Sequence, residues 1–70
     1  MKIKDLIPII KHTSIRIYRH KNGAYEAFEN GRIMHGEEIP KKLHNLEITE
    51  LASGCNYEID EHYIIIRAKG

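Results

Sequence analysis

The chain has no tryptophan, no valine and no glutamine, a single cysteine, two prolines and almost no net charge. Each shortage excludes something. Cys55 alone cannot close an internal disulfide, so the fold is not a stapled secreted scaffold and a reducing cytoplasm is the expected home. Eleven Lys and Arg against ten Asp and Glu give a formal charge of +1, which argues against a polyanion binder working through bulk electrostatics. The apolar run Leu6 to Ile10 is broken by Pro8 and followed by Lys11 and His12, so neither a signal peptide nor a membrane span is expected. Neither a G-x-G-x-x-G loop nor a Walker pattern occurs. The whole chain, residues 1–70, reads as one domain. A domain of this size buries only about 60% of the surface its unfolded chain exposes, which leaves little volume for an enclosed substrate pocket. A self-contained enzyme is not expected, and no cofactor is implied.

What is present is isoleucine, thirteen of them, alongside abundant lysine and asparagine, a balance that fits the codon bias of an AT-rich genome. Their spacing is informative. Ile3, Leu6, Ile7 and Ile10 fall at i, i+3, i+4 and i+7, which predicts a short helix over about Lys4 to Lys11 with its apolar stripe against a sheet. Pro8 is tolerable there only near the start, where the first turn has no amide partners to lose. From Ser14 the period changes to two, with Ile15 and Ile17 alternating with Arg16 and Tyr18, the pattern of a strand with unlike faces.

Asn22-Gly23 supplies both positive-φ residues of a type I′ hairpin turn and would set His20 opposite Tyr25 and Tyr18 opposite Ala27. A second hairpin at Asn30-Gly31 would set Phe28 opposite Ile33 and Ala27 opposite Met34. Both place Phe28 with its isoleucine neighbours, so a three-stranded meander is expected. Gly36 should end the third strand, and Pro40 to Leu43 looks like a single helical turn. Leu46 and Ile48 suggest a fourth strand from Asn45 to Leu51, closed by a break at Ser53-Gly54; Tyr57 to Ile59 reads as a short extended piece. Tyr63 to Ala68 is the last strand, and its consecutive isoleucines 64 to 66 suit an interior position. The expected fold class is α+β, a short N-terminal helix packed on an antiparallel β-meander of about five strands.

Beneath the helix, Ile15, Ile17, Phe28, Ile33, Leu46, Ile48 and one parity of the last strand would form the core. The other face then carries Arg16, Tyr18, His20, Tyr25, Ala27, Met34 and, from the last strand, Tyr63 and Ile65 or their neighbours. That is too aromatic and too apolar for a surface facing only water. Tyrosines that shield the backbone and pair across strands are one explanation. A homodimer or protein-partner surface through Arg16, Tyr18, His20, Tyr25, Met34 and Tyr63, or through strand edges, is another. Nucleic acid is a third, since Arg16, Tyr18, His20 and Lys21 combine basic and aromatic groups as single-strand stacking platforms do. Residues 1 to 22 set six basic groups against Asp5 alone, and the remainder is net acidic. Folded side by side, these blocks let Arg19 face Glu26 and Arg32 face Glu29.

Other chemistry is weakly supported. His12, His20, His35, His44 and His62 show no i, i+3 or i+4 pairing and no Cys-x-x-Cys, so no metal site is expected. Cys55 has no positioned base beside it in sequence and reads as a passive thiol. Asp60-Glu61 reads as a polar turn, since adjacent side chains in a strand point apart.

Three segments, IKDLIPII at the start, GEEIPKKLHNLEI in the middle and YIIIRA near the end, resemble short proteins of phages and integrative elements of low-GC Gram-positive bacteria. The likeness covers most of the chain and carries over no catalytic residue. It implies a bacterial host cytoplasm and action by binding, because small phage proteins of this size often act so, and some inhibit host defence systems such as CRISPR nucleases.

Overall fold

The computed structural model describes residues 1–58 and 61–70. Helix α1 spans Ile3–Ile10, and five strands follow: β1 Ser14–Lys21, β2 Ala24–Ala27, β3 Met34–His35, β4 Glu47–Asn56 and β5 Glu61–Lys69. The class is α+β, as expected. The sheet, however, is mixed rather than a simple meander: its order is β2-β1-β5-β4, β3 also pairs with β1, and β1 runs parallel to β5. The other ladders are antiparallel.

Helix α1 begins one residue earlier than the spacing suggests because the loop 44–46 serves its first amides. Lys4 N–H donates to the His44 carbonyl and Ile3 N–H to the Leu46 carbonyl, both at 3.0 Å. Asp5 accepts from the Lys2 amide at 2.9 Å, which closes the N-terminus. Pro8 therefore lies in the second turn and removes the bond to the Lys4 carbonyl. It does so on the exposed side, where water can serve that oxygen. Ile3, Leu6 and Ile10 are buried against the sheet, while Ile9, 76% exposed, points away.

The first hairpin forms as its turn chemistry requires. Asn22 and Gly23 have φ of 52° and 82°, and Lys21, His20, Arg19 and Tyr18 face Ala24, Tyr25, Glu26 and Ala27. The second hairpin does not form. Glu29, Asn30 and Gly31 are all left-handed, with φ of 49°, 58° and 82°, and turn the chain out of the sheet. It returns as β3 onto the half of β1 that β2 leaves open, with His35 facing Ser14 and Met34 facing Ile15. Were the ladder continuous, Ile15 would face Asn30; four residues have been looped out.

Two expectations change as a result. Opposed residues share a face, so Met34 joins Ile15 on the helix side, where it is 3% exposed and part of the core. Met34 is not a surface contact residue. Ile33 lies in the connection and is only half-buried, outside the core cluster.

The last strand is interior, as its isoleucine run suggested, with β1 on one side and β4 on the other. Strand β4 is longer than expected: Ser53-Gly54 continue it rather than end it, and the bulge lies between Ile48 and Glu50. Of the proposed extended piece, Tyr57 is in a turn and Ile59 lies outside the described residues, as does Asp60. Pro40 precedes a single 3-10 turn, Lys41–Leu43. The core on the helix side gathers Ile3, Leu6, Ile10, Ile15, Ile17, Phe28, Met34, Ile39, Leu43, Ile66 and Ala68. Each fully buried isoleucine contributes about 1.5–3 kcal/mol by leaving water.

Candidate functional site

No helix among the described residues covers the other face of the sheet. Register places Arg16 beside Ile65 and Tyr18 beside Arg67 across the parallel β1–β5 ladder. Alternation along β1 and β2 adds His20, Tyr25 and Ala27, and the β4–β5 ladder adds Glu50, Ala52 and Gly54 opposite Arg67, Ile65 and Tyr63. Arg16, Tyr18, His20 and Tyr25 therefore share one face, as the alternation predicted, and the register of β5 puts Tyr63 rather than its neighbours there with them; Met34 is the exception already described.

Two rows of contacts cross this face, each pairing an arginine on one central strand with a tyrosine on the other. In the first, a Cβ at position 54 would stand 2.3 Å from Tyr63 Cε2, so only glycine lets the Tyr63 ring lie across β4. The Arg16 guanidinium covers that ring at 4.7 Å from its centroid, and its Nη1 donates to the Tyr63 hydroxyl at 3.2 Å. Arg16 Nε donates to the Gly31 carbonyl at 2.8 Å, which pins the left-handed turn of residues 29–31 to the sheet. An L-residue such as Glu29 costs about 1–2 kcal/mol in that conformation, and this charge-assisted bond offsets part of it.

In the second row, the Arg67 guanidinium lies 5.8 Å from the centroid of Tyr18 and pairs with Glu50 on β4. The Tyr25 hydroxyl shares a 2.7 Å hydrogen bond with Thr49 Oγ1, which in turn donates to the Arg67 carbonyl. Tyr25 and Thr49 belong to the two outer strands, so the sheet must curl around this face to bring them together. His20 meets Tyr25 edge-on at 5.2 Å. Tyr25 remains 40% exposed, while Tyr18, Tyr63, Ile65 and both arginines are half-buried against one another.

The chain matches no known family model, no curated protein and no solved structure. Its geometry therefore carries the functional reading. Arg67, Thr49 and Gly54 belong to the face, and the sequence reading missed them. Arg67 was within reach, because it shares parity with Tyr63 and Ile65; Gly54 was not, because Ser53-Gly54 reads locally as a break.

An open cleft of about 460 Å³ lies at the turn end of β4 and β5, lined by Thr13, Ser53, Cys55, Tyr57 and His62 among others. Cys55 faces His62 across the ladder and is half-buried. No three His, Cys, Asp or Glu side chains converge as metal ligands among the described residues. The described helix is too short to cross a membrane.

Proposed function

We propose that this chain is a non-enzymatic protein-binding module whose contact surface is the uncovered, curled face of the sheet, centred on Tyr18, Tyr63 and Ile65 and bordered by Arg16, His20 and Tyr25. One observation carries this reading. No described element covers a face that presents three tyrosines and an isoleucine, with the rings of two tyrosines already held by arginines. Tyrosine and arginine dominate the energetics of protein interfaces, and side chains held before contact lose little entropy on binding. The arginines also favour protein over nucleic acid as the partner. Arg16 is engaged by Gly31 and Tyr63, and Arg67 by Glu50, which leaves fewer donors for phosphate. The resemblance to phage and integrative-element proteins supports a target in the cytoplasm of a bacterial host, a defence protein among them.

The test is affinity capture from lysate of a low-GC Gram-positive host, run side by side with wild type, Tyr18→Glu and Tyr25→Ala. A partner retained by wild type should be lost with Tyr18→Glu, at a cost of at least about 2 kcal/mol in binding, while circular dichroism stays unchanged. Equal retention by a folded Tyr18→Glu variant overturns the assignment of this face. A gel shift with single-stranded nucleic acid that weakens steeply with salt would favour the nucleic-acid reading instead.

A further inference from the structure

The two edges of the sheet are built differently. One is blunted: β2 offers four residues, the chain loops out through Phe28–Gly31, and β3 offers two, with Arg32 ion-paired to Glu29 and Glu38 beside the gap. The other edge is β4, ten residues long. Its start is already covered, because Ile48 N–H donates to the Met1 carbonyl at 2.8 Å and Lys2 bridges to Glu47. From Glu50 to Asn56 no described residue pairs with its outer side. Apart from Glu50 at its start, this stretch, ELASGCN, contains no charged residue and no proline, the residues that usually protect an edge, and the bulge lies just before it. Leu51 stands 49% exposed there, although Ile66 opposite it is fully buried.

We propose that a second copy of this chain fills that edge, β4 against β4, antiparallel about a two-fold axis normal to the sheet and centred on Ser53. Parity fixes the kind of register. Opposed residues of an antiparallel pair share a face, so a symmetric pair must centre on a residue, and only Ser53 uses the whole open stretch. Glu50 then faces the uncharged Asn56 position of the second copy, Leu51 faces Cys55, and Ala52 faces Gly54. Charge fixes the direction, because parallel in-register pairing would set Glu50 against Glu50. The small residues Ala52, Ser53 and Gly54 leave space at the axis for the Tyr63 ring of each copy. The dimer has one continuous sheet with both helices on one side and both uncovered faces on the other. It uses the edge rather than the face, so it stands or falls separately from the target-binding reading.

Light scattering and sedimentation equilibrium of the full chain from micromolar to millimolar concentration test this. Wild type should reach twice the 8.2 kDa chain mass. Ser53→Lys, which would face itself, should raise the dimer dissociation constant more than about tenfold with circular dichroism unchanged. Ser53→Cys in a Cys55→Ser background should crosslink under mild oxidation. Tyr18→Glu should leave the doubled mass intact. A wild type that stays monomeric throughout, a dimer indifferent to Ser53→Lys, or a dimer lost in folded Tyr18→Glu overturns the proposal. Should Ser53→Lys fail to fold, absence of the Ser53→Cys crosslink overturns it as well.

Discussion

On the helix side of the two central strands, Ile15 lies beside Ile64 and Ile17 beside Ile66; one residue along, on the other side, Arg16 lies beside Ile65 and Tyr18 beside Arg67. The same ladder thus supports two kinds of packing. The covered side excludes water by volume, and Ile15, Ile17 and Ile66 are fully buried there. On the open side no described element forms a second layer, and the side chains cover one another through directed contacts: guanidinium over ring, hydroxyl to hydroxyl, carboxylate to guanidinium. Volume packing needs only apolar residues of suitable size, whereas directed contacts need particular partners at particular positions.

Substitution at neighbouring residues of β5 should separate the two sides most sharply. Ile66→Ala should cost about 2–5 kcal/mol in urea unfolding, whereas Ile65→Ala, one residue away and half-buried, should cost about 1 kcal/mol or less; equal losses would erase the distinction. Gly54→Ala drives a methyl into the Tyr63 ring and should cost about 1–3 kcal/mol by overpacking. The same change in a Tyr63→Ala background should cost much less, and a double-mutant cycle with no coupling would show that the ring does not depend on Gly54.

Arg16→Lys keeps the charge but loses the planar fork, so about 1–2 kcal/mol should be lost. Amide exchange should quicken at residues 29–32 and stay slow at Ile66; uniform quickening would mean that Arg16 supports the whole sheet rather than the turn. The smallest effect is expected for Glu50→Gln, below about 1 kcal/mol and vanishing at high salt, because exposed ion pairs contribute little. A larger, salt-independent loss would make the second contact row a structural element equal to the first.

Local chemistry was enough to read the first hairpin and its register, since Asn22-Gly23 imposes the turn and the turn imposes the pairing. The helix, the interior position of the isoleucine-rich strand and the burial of Ile15, Ile17 and Phe28 also follow from spacing. The second Asn-Gly misled because its meaning depends on Glu29, which has no local reason to adopt a left-handed conformation. The carbonyl of Gly31 finds the Arg16 guanidinium fifteen residues away, a contact that ties the turn to the sheet and that no local pattern announces. Met34 changed sides with it. Strand β4 was read too short for a similar reason: Ser53-Gly54 is a break in isolation, and a continuation once Tyr63 lies over the glycine.

By itself, then, the sequence determined the elements with a local cause: one helix, one tight hairpin, a two-sided β1 and an apolar central strand. Alternation and the first hairpin also determined that Arg16, Tyr18, His20 and Tyr25 share a face, whereas the three consecutive isoleucines of the last strand left the side of Tyr63 open. Beyond that hairpin, tertiary structure alone decided which strand lies beside which. The parallel pairing of β1 with β5 joins segments about fifty residues apart, and nothing local distinguishes it from a meander. That pairing sets Tyr18 beside Arg67 and brings Tyr63 under Arg16, turning residues with a common face into a surface with a defined shape.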